Sequence, residues 1–240
     1  MVARCDVIAV GAHPDDVELG CGGTVARLTA SGLSVGIVDL SAGELSTRGD
    51  TAIRRREADE AARQLSVAWR VCTELPDGGL NPTDERQRAA LVTVLRQGAP
   101  RALLIPDADD FHPDHWAAAA LVQRAAFMAG VARYRPELGT PCRPRLLLNY
   151  AGPRQLFAPA LVVDVSAVYA AKRAALASHA SQFDPAEGAP THLASGFFLK
   201  AVEGRDRACG NLIGSEFGEG FTASGALAAD EIAWLLGERR

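Results

Sequence analysis

The chain contains no apolar run as long as a membrane span, and its first ten residues, MVARCDVIAV, lack the longer apolar region and small-residue cleavage site of a secretory leader. A membrane protein is therefore not expected, and the expected compartment is the cytoplasm. Cysteines are few and scattered: Cys5, Cys21, Cys72, Cys142 and Cys209 make an odd number with no CxxC pair. This argues against a disulfide framework and a thiolate zinc site, and leaves small buried hydrophobes as the ordinary reading. Only Cys21, close to the polar motif described below, stays open as a site residue. A basic stripe is also missing. With 25 Lys and Arg against 29 Asp and Glu, the net charge of −4 offers nothing to hold nucleic acid or an anionic membrane surface. Repeats, low-complexity tracts and a polar linker are absent too. The expected partners are small molecules or further copies of the chain, and 240 residues at 48% hydrophobic content suit one α/β domain over 1–240.

What is present centres on Val10 to Thr24, VGAHPDDVELGCGGT. It follows an apolar run from Asp6 to Val10 that reads as a buried parallel strand. His13, Asp15 and Asp16 then fall at a strand's C-terminal end, where open α/β sheets bind their ligands. Carboxylates side by side repel, and each loses solvation, so a metal ion is the economical explanation. The alternative is that Asp15 or Asp16 caps the next helix. Gly20, Gly22 and Gly23 permit a close approach of backbone to the strand end, and Thr24 to Ala30 continues as helix.

Ser34 to Leu40 reads as a second strand, followed by a polar loop from Ser41 to Asp50 that carries Glu44. Ala52 to Leu65 is a helix with a charged face that includes Arg54. A third strand, Arg70 to Leu75, leads to the turn PDGGL and a helix from Asp84 to Gln97. Arg101 to Pro106 is a fourth strand, whose exit is DADDFHPDHW, and Asp114 to Met128 is a helix with Pro113 suited to its first turn. After an irregular segment from Tyr134 to Arg145 come strands at Leu146–Tyr150 and Leu161–Val165 and helices at Ala167–His179 and Ser195–Cys209. Repeated βα units predict an α/β fold: a Rossmann-like, mostly parallel sheet with helices on both faces and a C-terminal α/β extension.

The motif HPDH supplies what the first motif lacks. His112 and His115, three apart at a helix start, share a face, so one can bind metal while the other points toward substrate. Added to His13 and an aspartate, they make a two-histidine, one-carboxylate set with an open position, which fits catalytic zinc and equally ferrous iron. Asp15 is placed to act as base. His112 is the candidate cation for a developing oxyanion, with Asp114 to orient its imidazole and raise its pKa. Two other classes compete. A nucleotide-binding module is disfavoured because the GxGxxG spacing is absent and an acidic pair stands where a pyrophosphate would bind. An iron oxygenase would use the same ligands, but the parallel α/β pattern and the Asp15 base favour hydrolysis.

The segments AHPDDVELGCGGT, GELSTRG, IRRREADEAARQL, LPDGGL and HPDH, in this order, resemble the zinc-dependent PIG-L/LmbE-type N-acetylglucosamine deacetylases. SQF at Ser181–Phe183 and IGSEFGEGF at Ile213–Phe221 are similar to the bacillithiol branch, which deacetylates N-acetylglucosaminyl malate. The resemblance covers nearly the whole chain. It implies zinc (Zn2+, with Fe2+ as the other candidate) on His13, Asp16 and His115, a general base at Asp15, and a second histidine, His112, paired with Asp114. It also implies substrate contacts from Arg54, from Asp77 to sugar hydroxyls, and from Glu44 in the flanking loop. The substrate would be a small amino sugar, and the assembly a homo-trimer or hexamer. Mycothiol-type and chitooligosaccharide deacetylases are the neighbouring alternatives. Two positions depart from the pattern: Gly78 stands where many relatives read PDRGL, and Phe197 where several have tyrosine. With no hydroxyl at Phe197, oxyanion stabilisation falls to zinc and His112. His179 is expected to be an ordinary helix residue, and His192 to edge the pocket. Arg154 and Asn149 are expected to be structural, with contact to a substrate carboxylate as the alternative.

Overall fold

Every residue of Val7–Gly11 (β1) is buried, as in a strand covered on both faces. In the computed structural model, which describes residues 1–155, 157–186, 188–223 and 225–237, the helix α1 (Asp16–Ala30) leads to β2 (Val35–Asp39). There follow α2 (Thr51–Gln64), β3 (Trp69–Cys72), α3 (Glu85–Gly98), β4 (Ala102–Pro106), α4 (Pro113–Ala129) and β5 (Leu146–Tyr150). These five strands pair in parallel in the order β3-β2-β1-β4-β5. The order reverses between β1 and β4, which makes their C-terminal ends the crevice where such sheets bind ligands.

Alternation along β1 divides the apolar residues between two faces. Val7 and Ala9 join a core with Val17 and Val25 of α1 and Ala61 of α2, while Ile8 and Val10 join another with Leu91 and Leu95 of α3 and Leu121 of α4. The remaining elements are β6 (Leu161–Asp164), α5 (Tyr169–Ser178), α6 (Ala180–Phe183), α7 (Phe198–Asn211), β7 (Gly218–Ala223) and α8 (Ala229–Leu235). β7 pairs antiparallel with β5 and β6, so the C-terminal extension is part of the same seven-stranded sheet. The mostly parallel sheet with helices on both faces is as the sequence predicts. β7 is not foreseen, because GEGFTA has two glycines and weak strand propensity of its own. Among the described residues, no helix is long and apolar enough to cross a membrane.

α1 differs from expectation. It begins at Asp16, eight residues before the predicted Thr24, and its glycines lie inside the helix and do not line the strand end. A Cβ at Gly20 would lie 2.1 Å from the Tyr150 ring, so glycine lets α1 lie flat on β5. The helix breaks at Cys21 (φ −146°, ψ 22°), and a new helical segment starts without intrahelical partners for its first N–H groups. Glu219 of β7 accepts two of them, from Gly23 at 2.9 Å and Thr24 at 2.6 Å. Lys172, wholly buried, neutralises this carboxylate at 2.6 Å and that of Asp206 at the same distance. Cys21 is therefore a core residue at a helix break, its thiol pushed up by burial and then by Glu219, and it does not line the site. Replacing Lys172 with Met should leave two buried carboxylates short of a cation. Stability should fall by about 3–5 kcal/mol in denaturant unfolding, and a loss below about 1 kcal/mol would count against this account.

Candidate active site

β1 and β4 each end in a polar turn, and the two turns face each other at the switch point. The first carries His13, Asp15 and Asp16; the second carries Asp110, His112, Asp114 and His115. Around them lies a cavity of about 380 Å³, lined by His13, Asp15, Asp16, Arg54, Asp77, His112 and His115, with Leu45, Phe111, Arg154, Gln182 and Phe198 among its other walls. The sequence places these residues within reach through local signals only. Pro113 opens α4, and His112 is the N-cap, its Nδ1 accepting the Asp114 N–H at 3.2 Å.

His13, Asp16 and His115 each present one donor atom, all within 4.8 Å of one another. His115 Nε2 lies 3.1 Å from Asp16 Oδ1, and His13 Nδ1 lies 3.5 Å from Asp16 Oδ2. Two imidazole nitrogens and one carboxylate oxygen form a donor set that fits a divalent zinc or ferrous ion. His13, His112 and Asp114 meet the same distance limit but share His13 and are more exposed. The ionisations agree with a site built for positive charge. Burial alone would depress the His13 and His115 imidazoles, but Asp114, Asp16 and Asp77 hold His13 well above its usual value, and Asp16 and Asp110 hold His115 up to about 10. Asp16 is held well below the carboxylate range, burial being overcome chiefly by His115.

Asp15 occupies φ 122°, a conformation that costs an L-residue about 1–3 kcal/mol. Its carboxylate makes no helix cap; it lies 3.3 Å from Arg54 Nη2. Burial pushes this carboxyl up to about 6 against the opposing pull of Arg54, which suits a base near neutral pH. Arg54 is buried and braces the turn, donating to Pro14 O at 2.6 Å and Gly43 O at 3.2 Å. Asp77 Oδ1 lies 3.1 Å from His13 Nε2, and its Oδ2 accepts the Leu45 N–H at 2.9 Å. The hydrogen bond to His13 holds its carboxyl down at about 2. Gly78 lines the cavity with no side chain, and its N–H donates to Asp114 Oδ2.

Several expectations need correction. The Asp114 carboxylate does not pair with the His112 imidazole: it contacts His13 Nε2 at 3.3 Å and accepts the Gly78 N–H at 2.7 Å, because the first turn of α4 carries it away from the N-cap ring. His112 is accordingly lowered, by burial first and then by His115 and His13, and it suits a neutral donor better than a cation. Glu44 does not reach the cavity. Its carboxylate is exposed and accepts the Asp77 N–H at 2.8 Å, and the residue lines a neighbouring cavity of about 470 Å³. Phe197 is 64% exposed, and the ring that lines the cavity is its neighbour Phe198. His179, expected to be an ordinary helix residue, stands at the junction of α5 and α6, wholly buried and 3.6 Å from Glu18. His192 stacks edge-on against Phe198, Asn149 is buried in β5, and Arg154 is exposed at the cavity's edge.

Two features escaped the sequence reading. Gln182, of the SQF segment, joins α6 to the loop after β2 through Ser46 Oγ at 3.0 Å and Arg48 O at 2.6 Å, and so forms a cavity wall. Asp110 backs His115, with Oδ2 2.9 Å from Nδ1. A carboxylate a few residues before a metal-binding histidine is a recognisable signal, since such histidines commonly donate their other N–H to one.

Sheet order and side-chain geometry together define an α/β enzyme whose two switch-point strands each deliver part of one His–Asp–His donor set beside a buried base. The family model for PIG-L, GlcNAc-PI de-N-acetylase, matches residues 8–126, which include all of these turns. The chain belongs to the PIG-L family. It is 30% identical to diacetylchitobiose deacetylase of Thermococcus kodakarensis over 74% of this chain and 70% of that protein. It is 32% identical to the 1D-myo-inositol 2-acetamido-2-deoxy-alpha-D-glucopyranoside deacetylase of Streptomyces avermitilis, over 56% of this chain and 57% of that one. The crystal structure of the conserved protein TT1542 from Thermus thermophilus superposes with a TM-score of 0.85 at 36% identity, covering 94% of this chain and 97% of the other.

Because His13 and His115 hold protons above neutral pH, a cation that binds their nitrogens must expel protons. Zinc affinity should therefore rise as pH increases from 6 to 8, with about one or two protons released per ion near pH 7. Calorimetry in buffers of different ionisation heat counts them; a pH-independent affinity with no proton release would exclude these ligands.

Proposed function

We propose that this chain is a metal-dependent N-deacetylase that hydrolyses the acetamide of an N-acetylglucosamine conjugate, and that the conjugate is N-acetylglucosaminyl malate, as in bacillithiol synthesis. The observation that carries the first part is the convergence of His13, Asp15, Asp16, His112 and His115 on one cavity in a chain of this family. His13, Asp16 and His115 would hold the ion. When bound, a divalent cation lowers the pKa of water and polarises an amide carbonyl. Asp15 accepts the proton of the attacking water as oxygen adds to the acetyl carbon, and returns it to the amine as the C–N bond breaks, giving acetate and a free amino sugar. His112 accepts the Asp114 N–H at Nδ1, so its neutral ring carries hydrogen on Nε2 and can donate to the oxygen that gains negative charge. Arg54 keeps the base in place.

The rim supports the malate reading. Arg154 is exposed, has no carboxylate partner among the described residues, and stacks its guanidinium 4.6 Å over Phe111, itself 61% exposed. An unpaired guanidinium at the mouth suits an acidic aglycone. A second reading, a neutral sugar or inositol in that place, draws on the printed names of the relatives and on Phe111, whose open face suits sugar stacking.

Amine release from N-acetylglucosaminyl malate, its inositol counterpart, N-acetylglucosamine and diacetylchitobiose separates the two. Asp15→Asn should lower kcat about 10²–10⁴-fold with cation content unchanged. Arg154→Gln should lower kcat/KM about fivefold for the malate conjugate and leave the neutral substrates alone. Equal loss on all substrates removes the malate reading; failure to hydrolyse any of them removes the deacetylase reading.

A further inference from the structure

The two histidines of HPDH are held by one carboxylate that takes no part in the chemistry described above. Asp110 Oδ1 accepts the His112 N–H at 2.9 Å, and Oδ2 lies 2.9 Å from His115 Nδ1, with the side chain 1% exposed. His115 Nε2 points the other way, to Asp16 Oδ1 at 3.1 Å. An ionised carboxylate accepts hydrogen bonds and cannot donate them. Beside it, Nδ1 must carry a hydrogen, so Nε2 is the nitrogen that gives up its proton and offers a lone pair to the donor set when a cation binds.

The carboxylate has little freedom to leave this position. A Cβ at Gly152 would lie 1.8 Å from Asp110 Oδ2, so only glycine in the turn after β5 leaves room for it. That turn is itself fastened. Arg205 donates to Ala151 O at 3.2 Å and Gly152 O at 3.1 Å, and its other nitrogen donates to Leu19 O at 2.5 Å in α1, the helix whose first residue is Asp16. One guanidinium thus ties the seat of Asp110 to the element that carries the carboxylate ligand.

We propose that Asp110, seated against Gly152, is a positioning residue that fixes the tautomer and direction of the His115 imidazole and so sets the cation affinity of the site. This rests on the assignment of His13, Asp16 and His115 as the donor set, and not on the identity of the substrate. In Asp110→Asn the remaining carbonyl can still accept the His112 N–H. Its NH2 group would then face Nδ1, which moves the ring hydrogen to Nε2 and blocks ligation. Gly152→Ala keeps the carboxylate's charge but displaces it.

The test is zinc affinity by chelator competition on the full chain, with thermal unfolding as a control and long-range ¹H–¹⁵N spectra of the zinc-loaded wild type. Both variants should bind zinc about 10–100-fold more weakly than wild type. The wild-type spectrum should show His115 carrying hydrogen on Nδ1. Wild-type affinity in either folded variant, or hydrogen on Nε2 in the wild type, overturns the proposal. The spectrum decides the matter if neither variant folds. If zinc affinity falls as stated but no acetylated sugar is hydrolysed by the wild type, the functional reading fails and this one stands.

Discussion

The removal of carboxylates from water at the sheet's C-terminal edge is the constraint to which the rest of the molecule answers. Asp15, Asp16, Glu18, Asp39 and Asp110 are all buried there, and an unpaired charge in such surroundings costs several kcal/mol. Each is met by an opposite charge from another element. Arg54 of α2 faces Asp15, Arg70 of β3 bridges Glu18 and Asp39, and His115 of α4 lies between Asp16 and Asp110. Net stability of a domain is about 5–15 kcal/mol, so loss of one such partner consumes a large share of it. The site's floor is in this sense part of the folding energetics, and it holds its geometry for that reason.

A second charge cluster plays the matching part on the far side of α1. The break at Cys21 leaves backbone N–H groups that water cannot reach; Glu219 of β7 accepts two of them and is itself held by Lys172 of α5, which also pairs with Asp206 of α7, the partner of Arg205. The C-terminal extension is therefore more than added sheet area. It sets where the first turn of α1 lies, and that turn presents Asp16 to the donor set.

Floor and rim follow different physics. Buried charges, a strained backbone at Asp15 and hydrogen bonds between remote elements hold the floor. Leu45, Phe111 and Arg154 at the rim are exposed and loosely held, and changes there cost little stability.

Local pattern alone was enough for the strands from β1 to β5, for α2, α3 and α4 but not for the start of α1, and for the grouping of His13, Asp15, Asp16, His112 and His115. Hydrophobic periodicity and turn residues act over a few positions, and strand exits at a switch point are where polar turns collect. Tertiary structure decided the pairings. Asp114 faces His13, 101 residues away, and not His112 two residues away; Glu219 caps a helix 196 residues before it; Glu44 supports Asp77 and misses the cavity. Nothing in the spacing of residues encodes these contacts, because a side chain's partner is set by how two remote elements pack. Sequence therefore determined which chemistry is present, and packing determined which carboxylate orients which histidine.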